Sequence, residues 1–80
     1  MSTVLCSFAK MYRSIEKEVP RHDLRDMLPH EIVEKYLTVT KSRGLIRYDW
    51  TSMFEVRLIF EGAGDALCFV MKNSEVVNDL

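Results

Sequence analysis

Residues 45–60 read LIRYDWTSMFEVRLIF, and this stretch decides the fold because its apolar side chains recur with a period of two. Such a period is typical of half-buried strands, so the stretch predicts a β-hairpin. The apolar sets that we expect on one core-facing side are Ile46, Tyr48 and Trp50, then Phe54, Val56, Leu58 and Phe60. Residues that pair across a hairpin have their side chains on the same face of the sheet. The two apolar sets, which are all even-numbered, therefore share a face only if the numbers of two paired residues add up to an even value. This condition predicts a three-residue loop at 51–53, or a bulge there.

Residues 1–44 carry a helical pattern instead. Apolar residues from Val4 to Val19 recur at steps of three and four, which predicts a first helix that ends before Pro20. Its expected N-cap is Ser2 or Thr3. A short second helix is predicted over 21–27, and the apolar contacts expected from this segment are Leu24, Met27 and Leu28.

A third helix is predicted over 29–43, since Pro29 suits its first position and Gly44 suits the left-handed residue after its end. Its expected inward residues are Ile32, Val33, Tyr36 and Leu37, with Val39 or Thr40. Glu31 in the first turn and Lys41 in the last turn suit the helix dipole.

The end of the chain is ambiguous. Residues 61–65 are a turn, and 66–71 form a continuous apolar run that predicts a third antiparallel strand. A final helix capped by Asp65 is the alternative, and 73–80 is predicted to be a short frayed helix or a disordered end. The predicted fold is therefore α+β, with three N-terminal helices (1–44) followed by an antiparallel two- to three-stranded sheet (45–72).

Length and composition predict one small domain over residues 1–80, because 80 residues with 48% hydrophobic content and a net charge of −1 support one core. Neither a membrane span nor a signal peptide is expected, since no apolar run is long enough for a span and the first residues lack a basic start. The spacing of Cys6 and Cys68 predicts a reduced, cytoplasmic protein with both thiols in or near the core. A single disulfide in a secreted chain is the alternative.

The sequence resembles the winged-helix family at three places: DLRDML at 23–28, IVEKYL at 32–37 and RGLIR at 43–47. In that family the third helix lies in the major groove of DNA and the hairpin, or wing, touches phosphate. The resemblance implies a non-enzymatic regulator that binds duplex DNA, and the modest net charge of −1 favours a dimer. The contacts it implies are Lys35, Thr38, Lys41, Ser42, Arg43 and Arg47.

A different class of function is indicated by departures from that family. Glu31 and Glu34 lie on the predicted recognition helix, and the hairpin tip at 50–53 contains no Lys or Arg. An apolar tip favours a protein-interaction module, an inhibitor or adaptor of viral or mobile-element origin, with Trp50 and Met53 at its interface. Residues 54–60 and 62–65 also resemble strand–turn–strand segments of small phage-type proteins. A sheet edge near 66–71 would allow a homodimer.

Catalytic and cofactor chemistry finds little support in the residue pattern. His22, Asp23, Asp26 and His30 are interpreted as solvated helix charges in preference to a metal site, and Gly62 and Gly64 as a turn. We therefore expect no catalytic residues, metal, cofactor or small-molecule substrate. The aromatic residues of 48–69 are interpreted as core in preference to a base-stacking platform, except Trp50. Residues 1–47 carry nine Lys and Arg against six Asp and Glu, which indicates a basic helical face.

Overall fold

The first element of the chain is a strand, β1 (Ser2–Ser7), in a computed structural model that describes residues 1–78. The prediction that helices come first is therefore wrong. Val4 and Cys6 are buried, whereas Thr3 before them is exposed and Leu5 between them is half-buried, so the segment follows a period of two. Over so few residues the same apolar positions also fit helical spacing, and the pairing of β1 with a strand 50 residues later decides between the two patterns.

Three helices follow β1: α1 (Phe8–Ile15), α2 (Arg21–Arg25) and α3 (Pro29–Val39). The N-cap of α1 is Ser7, whose hydroxyl accepts a hydrogen bond from the Lys10 N–H at 3.3 Å, so the predicted caps Ser2 and Thr3 are wrong. Helix α2 ends two residues before the predicted boundary at 27, and Leu28 is exposed instead of packed.

Helix α3 is the predicted element that the structure matches most closely. Pro29 is its first residue, and the Glu31 carboxylate accepts a hydrogen bond from the Leu28 N–H at 2.8 Å. Of the residues expected inward, Ile32, Val33, Tyr36 and Leu37 are buried. Thr40 is half-buried, and Val39 is 40% exposed. The helix ends at Val39 instead of 43, since the chain turns at Lys41, whose φ is +51°.

The sheet contains β2 (Leu45–Trp50) and β3 (Glu55–Phe60), and its order is β1-β3-β2 with both pairings antiparallel. Trp50 pairs with Val56, so the expected even sum of paired residue numbers is confirmed. The loop spans residues 51–54 instead of 51–53, which leaves Phe54 74% exposed and outside the core. A bulge between Leu45 and Arg47 leaves Ile46 52% exposed, so its predicted core position is also wrong.

Residues 66–71 belong to a helix, α4 (Ala63–Lys72), so the predicted third strand is wrong there. The edge of β3 that such a strand would occupy is taken by β1. Ala66 and Phe69, three residues apart, are buried, and the N-cap is Gly62 instead of Asp65. A 3₁₀ helix (Ser74–Val76) follows, and the Asn78 N–H then donates to the Leu5 carbonyl at 2.9 Å, beside the outer edge of β1. Part of the predicted tail, 79–80, lies outside the described residues.

All the helices lie on one face of the sheet. One cluster joins the sheet residues Val4, Cys6, Val56, Leu58 and Phe60 to buried side chains of every helix. The opposite face is open and carries the ion pair between Arg57 and Asp49, with Nη2 and Oδ2 3.0 Å apart. Among the helices within residues 1–78, none has both the length and the apolar character needed to cross a membrane.

Candidate functional site

Exposed apolar side chains gather at the end of the molecule that holds the β2–β3 loop. We define the tip surface as Leu28, Pro29, Trp50, Met53 and Phe54. Met53 is 81% exposed and Trp50 is 37% exposed. A concavity of about 500 Å³ lies between Pro29 and the loop residues 50–53. Exposed apolar side chains that adjoin one another are typical of interaction sites, whereas scattered ones are ordinary.

Hydrogen bonds hold the loop that carries Met53 and Phe54. The Thr51 N–H donates to the Glu55 carbonyl at 3.0 Å, and the Thr51 hydroxyl donates to the Glu55 carboxylate at 2.7 Å. The Phe54 N–H donates to the Ser52 hydroxyl at 3.1 Å. Hydrogen bonds from Thr51 and Asn78 also lower the pKa of the Glu55 carboxyl. The loop backbone is thus fixed by its own polar groups, and its two largest apolar side chains remain in solvent.

Trp50 is fixed by an aromatic neighbour. Its ring lies 5.4 Å from the ring of Phe8, with the planes inclined at 53°. Phe8 is in turn tied to the loop, since its N–H donates to the Phe54 carbonyl at 2.9 Å. A side chain that is already ordered loses less conformational entropy on binding, which suits Trp50 to the role of an interface anchor.

The residues predicted to contact DNA lie in three places. Lys35 and Thr38 are exposed on α3, and the Thr38 hydroxyl donates to the Glu34 carbonyl at 2.8 Å. Lys41, Ser42 and Arg43 lie in the loop after α3, where they line a groove together with residues of α4. Arg47 is exposed on β2 and is paired with Ile59, on the open face of the sheet. The structure brings Lys41, Ser42 and Arg43 together in one loop. Lys35 and Thr38 on α3, and Arg47 on β2, lie apart from them.

Titratable side chains are spread over the molecule. Burial raises the pKa of the Cys6 thiol to about 12, with a further contribution from the Glu55 carboxylate, whereas Cys68 is exposed. The prediction that both thiols lie in or near the core is therefore wrong for Cys68. The His22 Nε2 atom lies 3.4 Å from the Asp23 carboxylate. Across residues 1–78, no three His, Cys, Asp or Glu side chains converge as metal ligands would.

Sequence reasoning identified Trp50 and Met53 but missed Leu28, Pro29 and Phe54. Leu28 was expected to pack with the second helix, and Phe54 was expected in a strand. An even sum of paired residue numbers allows either three or five residues between the last two paired residues of the hairpin. It therefore does not decide whether Phe54 pairs with β2 or lies in the loop. The sequence signal that could have placed Leu28 outside the second helix is its position directly before Pro29, where the third helix was predicted to begin.

Comparisons with protein-family models, curated proteins and solved structures found no match to this chain.

Proposed function

We propose that the protein is a small non-enzymatic interaction module, an inhibitor or adaptor, that binds a second protein through the tip surface. The observation that carries this proposal is the exposure of Met53 and Phe54 on a loop whose backbone is held by hydrogen bonds. The tip surface contains no charged side chain, so burying it against a partner carries no charge-desolvation cost. Residues of these types form the apolar centre of many interfaces.

The partner that suits this surface is a different protein that presents an apolar side chain to the concavity beside Pro29 and Trp50. A copy of the same chain is less well supported. The outer edge of β2 carries a bulge at Ile46 and the charged residues Arg47 and Asp49, features that discourage edge-to-edge pairing. The other edge predicted for self-pairing, 66–71, is helical.

DNA binding through α3 remains a weaker proposal than the tip surface. Its six predicted contacts are divided among α3, the following loop and β2. Glu31 and Glu34 also accompany Lys35 on the helix that would enter the groove. We propose a reducing, cytoplasmic setting for the protein, supported by the free thiols Cys6 and Cys68.

The test compares the partner affinity of a Met53 variant with that of the same substitution at Met71. Met71 lies on α4, outside the tip surface, and is 73% exposed. We expect Met53→Asp to lower affinity for a partner captured from a lysate of the source cells by at least tenfold, about 1.4 kcal/mol. Met71→Asp is expected to keep the affinity of the parent. Circular dichroism should show the same melting curve for all three proteins, because both positions are exposed.

The same experiment includes light scattering, which reports the molar mass of the parent. A dimer that Met53→Asp dissociates would replace the foreign partner with a second copy. The proposal is wrong if the parent is monomeric and recovers no partner, or if Met53→Asp and Trp50→Ala both keep full binding.

A further inference from the structure

Basic side chains line two grooves that belong to neither the tip surface nor the exposed side of α3. The first groove, of about 390 Å³, lies between the loop after α3 and the helix α4, and its cations are Lys41, Arg43 and Lys72. The second groove, of about 570 Å³, lies along α1 and the turn after it, and its cations are Lys10, Arg13 and Lys17. Together they hold six of the eleven Lys and Arg residues of the chain.

The two grooves adjoin each other along the end of α4. Asn73 lines the first groove and Glu75, two residues later, lines the second. The 3₁₀ helix that contains Glu75 packs against both α1 and α4. The residues that line the two grooves thus come within two positions of each other at the end of α4, and the grooves hold six cations in a chain whose net charge is −1.

The groove cations form no ion pair among the described residues, although each groove also contains one carboxylate. The ion pairs within residues 1–78 are His22 with Asp23 and Arg57 with Asp49, and neither involves a groove cation. The carboxylates that line the grooves are Asp65 and Glu75. The Asp65 side chain is packed against the backbone of Gly44, at the place where a Cβ atom would lie.

The loop that carries two of the cations is held in a defined shape. Lys41 has a φ of +51°, a left-handed backbone conformation that residues other than glycine rarely adopt. The Thr40 hydroxyl donates to the Tyr36 carbonyl at 2.9 Å and lies 3.1 Å from the Ser42 hydroxyl. These bonds occupy the hydroxyl groups of Thr40 and Ser42, so the Lys41 ammonium and the Arg43 guanidinium are the charged side-chain donors that the loop offers a ligand.

We propose that the two grooves together bind the phosphate backbone of a nucleic acid, without reading its base sequence. Two adjoining sets of cations suit a long ligand with repeated negative charges better than a single small anion, which would need one set. Lys10 and Arg13 are three residues apart on α1 and line the same groove, so both can face one strand of a nucleic acid. This activity is additional to protein binding at the tip surface.

The number of cations sets the expected dependence on salt. Each neutralised phosphate contributes about −0.9 to the slope of log affinity against log salt concentration. If four of the six cations engage phosphates, the slope is about −3.6. Affinity for duplex DNA should then fall roughly 150-fold between 50 and 200 mM salt.

The test measures fluorescence anisotropy of a labelled mixed-sequence duplex in a salt series. Two double variants change the first and second grooves: Lys41→Glu with Arg43→Glu, and Lys10→Glu with Arg13→Glu. The matched control is Lys35→Glu with Arg47→Glu, which makes the same change in charge outside both grooves. We expect each groove variant to lose at least tenfold more affinity than the control at 50 mM salt.

A further variant, Lys17→Glu with Lys72→Glu, tests both grooves without altering the loop at Lys41, and it should behave like the other groove variants. Circular dichroism checks that each variant is folded. Met53→Asp should bind DNA like the parent, which separates this proposal from protein binding at the tip surface.

Four results would overturn the proposal. They are no binding of the duplex by the parent at 50 mM salt, a salt slope near zero, an equal or larger loss in the Lys35→Glu/Arg47→Glu control, and binding of vesicles rich in anionic lipid without binding of DNA. Equal loss in the control would instead favour a surface formed by α3 and β2.

Discussion

Tyr36 makes the buried polar contact that joins α3 to the end of α4. Its hydroxyl donates to the Asn73 Oδ1 atom at 3.1 Å, and the Asn73 Nδ2 atom donates to the Phe69 carbonyl at 3.2 Å. Both side chains are buried, and burial raises the pKa of the Tyr36 hydroxyl. A buried polar atom that loses its partner retains its desolvation cost, so this bond contributes to the way the two helices meet.

We expect Tyr36→Phe to lower the free energy of unfolding by about 1–3 kcal/mol, because the Asn73 Oδ1 atom is then buried without a donor. Tyr48→Phe is the matched control: the Tyr48 hydroxyl donates to the Glu34 carboxylate at 3.0 Å in an exposed setting. Its loss should cost less than about 1 kcal/mol, since water replaces the bond. Urea denaturation measures both values, and equal losses would contradict the role given to Asn73.

Gly44 shows how far a single residue can be interpreted from sequence. A left-handed conformation was expected there, and its φ of +74° confirms it. The reason differs from the expected one, since α3 has already ended at Val39 and the Asp65 side chain occupies the space of a Cβ atom. Local sequence indicates that glycine is needed at such a position, but the contact with Asp65 comes from a helix that begins 19 residues later at Ala63.

At the level of elements, β3 is the central strand and the most buried one. It pairs with β1 on one side and β2 on the other, and Val56, Leu58 and Phe60 are fully buried against the helices. The alternation that predicted this face also holds for Arg57, which is exposed on the open side. A strand with neighbours on both edges is the element most sensitive to a buried charge.

We expect Val56→Asp to unfold the protein, because it places a carboxylate in the core of a domain whose total stability is on the order of 5–10 kcal/mol. Ile46→Asp, at the exposed bulge of β2, makes a similar change where water reaches the side chain, and it should melt close to the parent. Thermal melts followed by circular dichroism compare them. A Val56→Asp variant that melts like the parent would show that the face of β3 is wrongly assigned.

The whole molecule should lose stability at alkaline pH. Burial raises the pKa of the Cys6 thiol from its ordinary value of 9.0 to about 12, so the folded state keeps a proton that the unfolded chain releases between these values. The contribution of this proton to the free energy of unfolding is therefore fully present below pH 9. Above pH 9 the free energy of unfolding falls by about 1.4 kcal/mol per pH unit for one proton. The raised pKa of Tyr36 adds to the loss at higher pH.

Urea denaturation at several pH values between 8 and 11 measures this slope. Cys6→Ala should make the slope shallower, although packing lost at this buried site lowers its stability at every pH. Cys68→Ala removes an exposed thiol and is the control expected to keep the parental slope. If Cys6→Ala and the parent show the same slope above pH 9, the buried thiol does not control alkaline unfolding.

Local periodicity was sufficient to predict four buried residues of α3, the strand character of β2 and β3, and the even sum of paired residue numbers in the hairpin. It did not predict which residues pair, since Trp50 pairs with Val56. It was insufficient for residues 2–7 and 66–71, because runs of six apolar or mixed residues fit a strand and a helix equally well. Those two assignments depend on which segment occupies the free edge of β3, and that pairing joins residues about 50 positions apart. The tip surface and the two basic grooves arise in the same way. Pro29 and Trp50 line one concavity, and Lys41 and Lys72 line one groove, only after the sheet and helices have packed, so the tertiary structure alone decides which side chains share a surface.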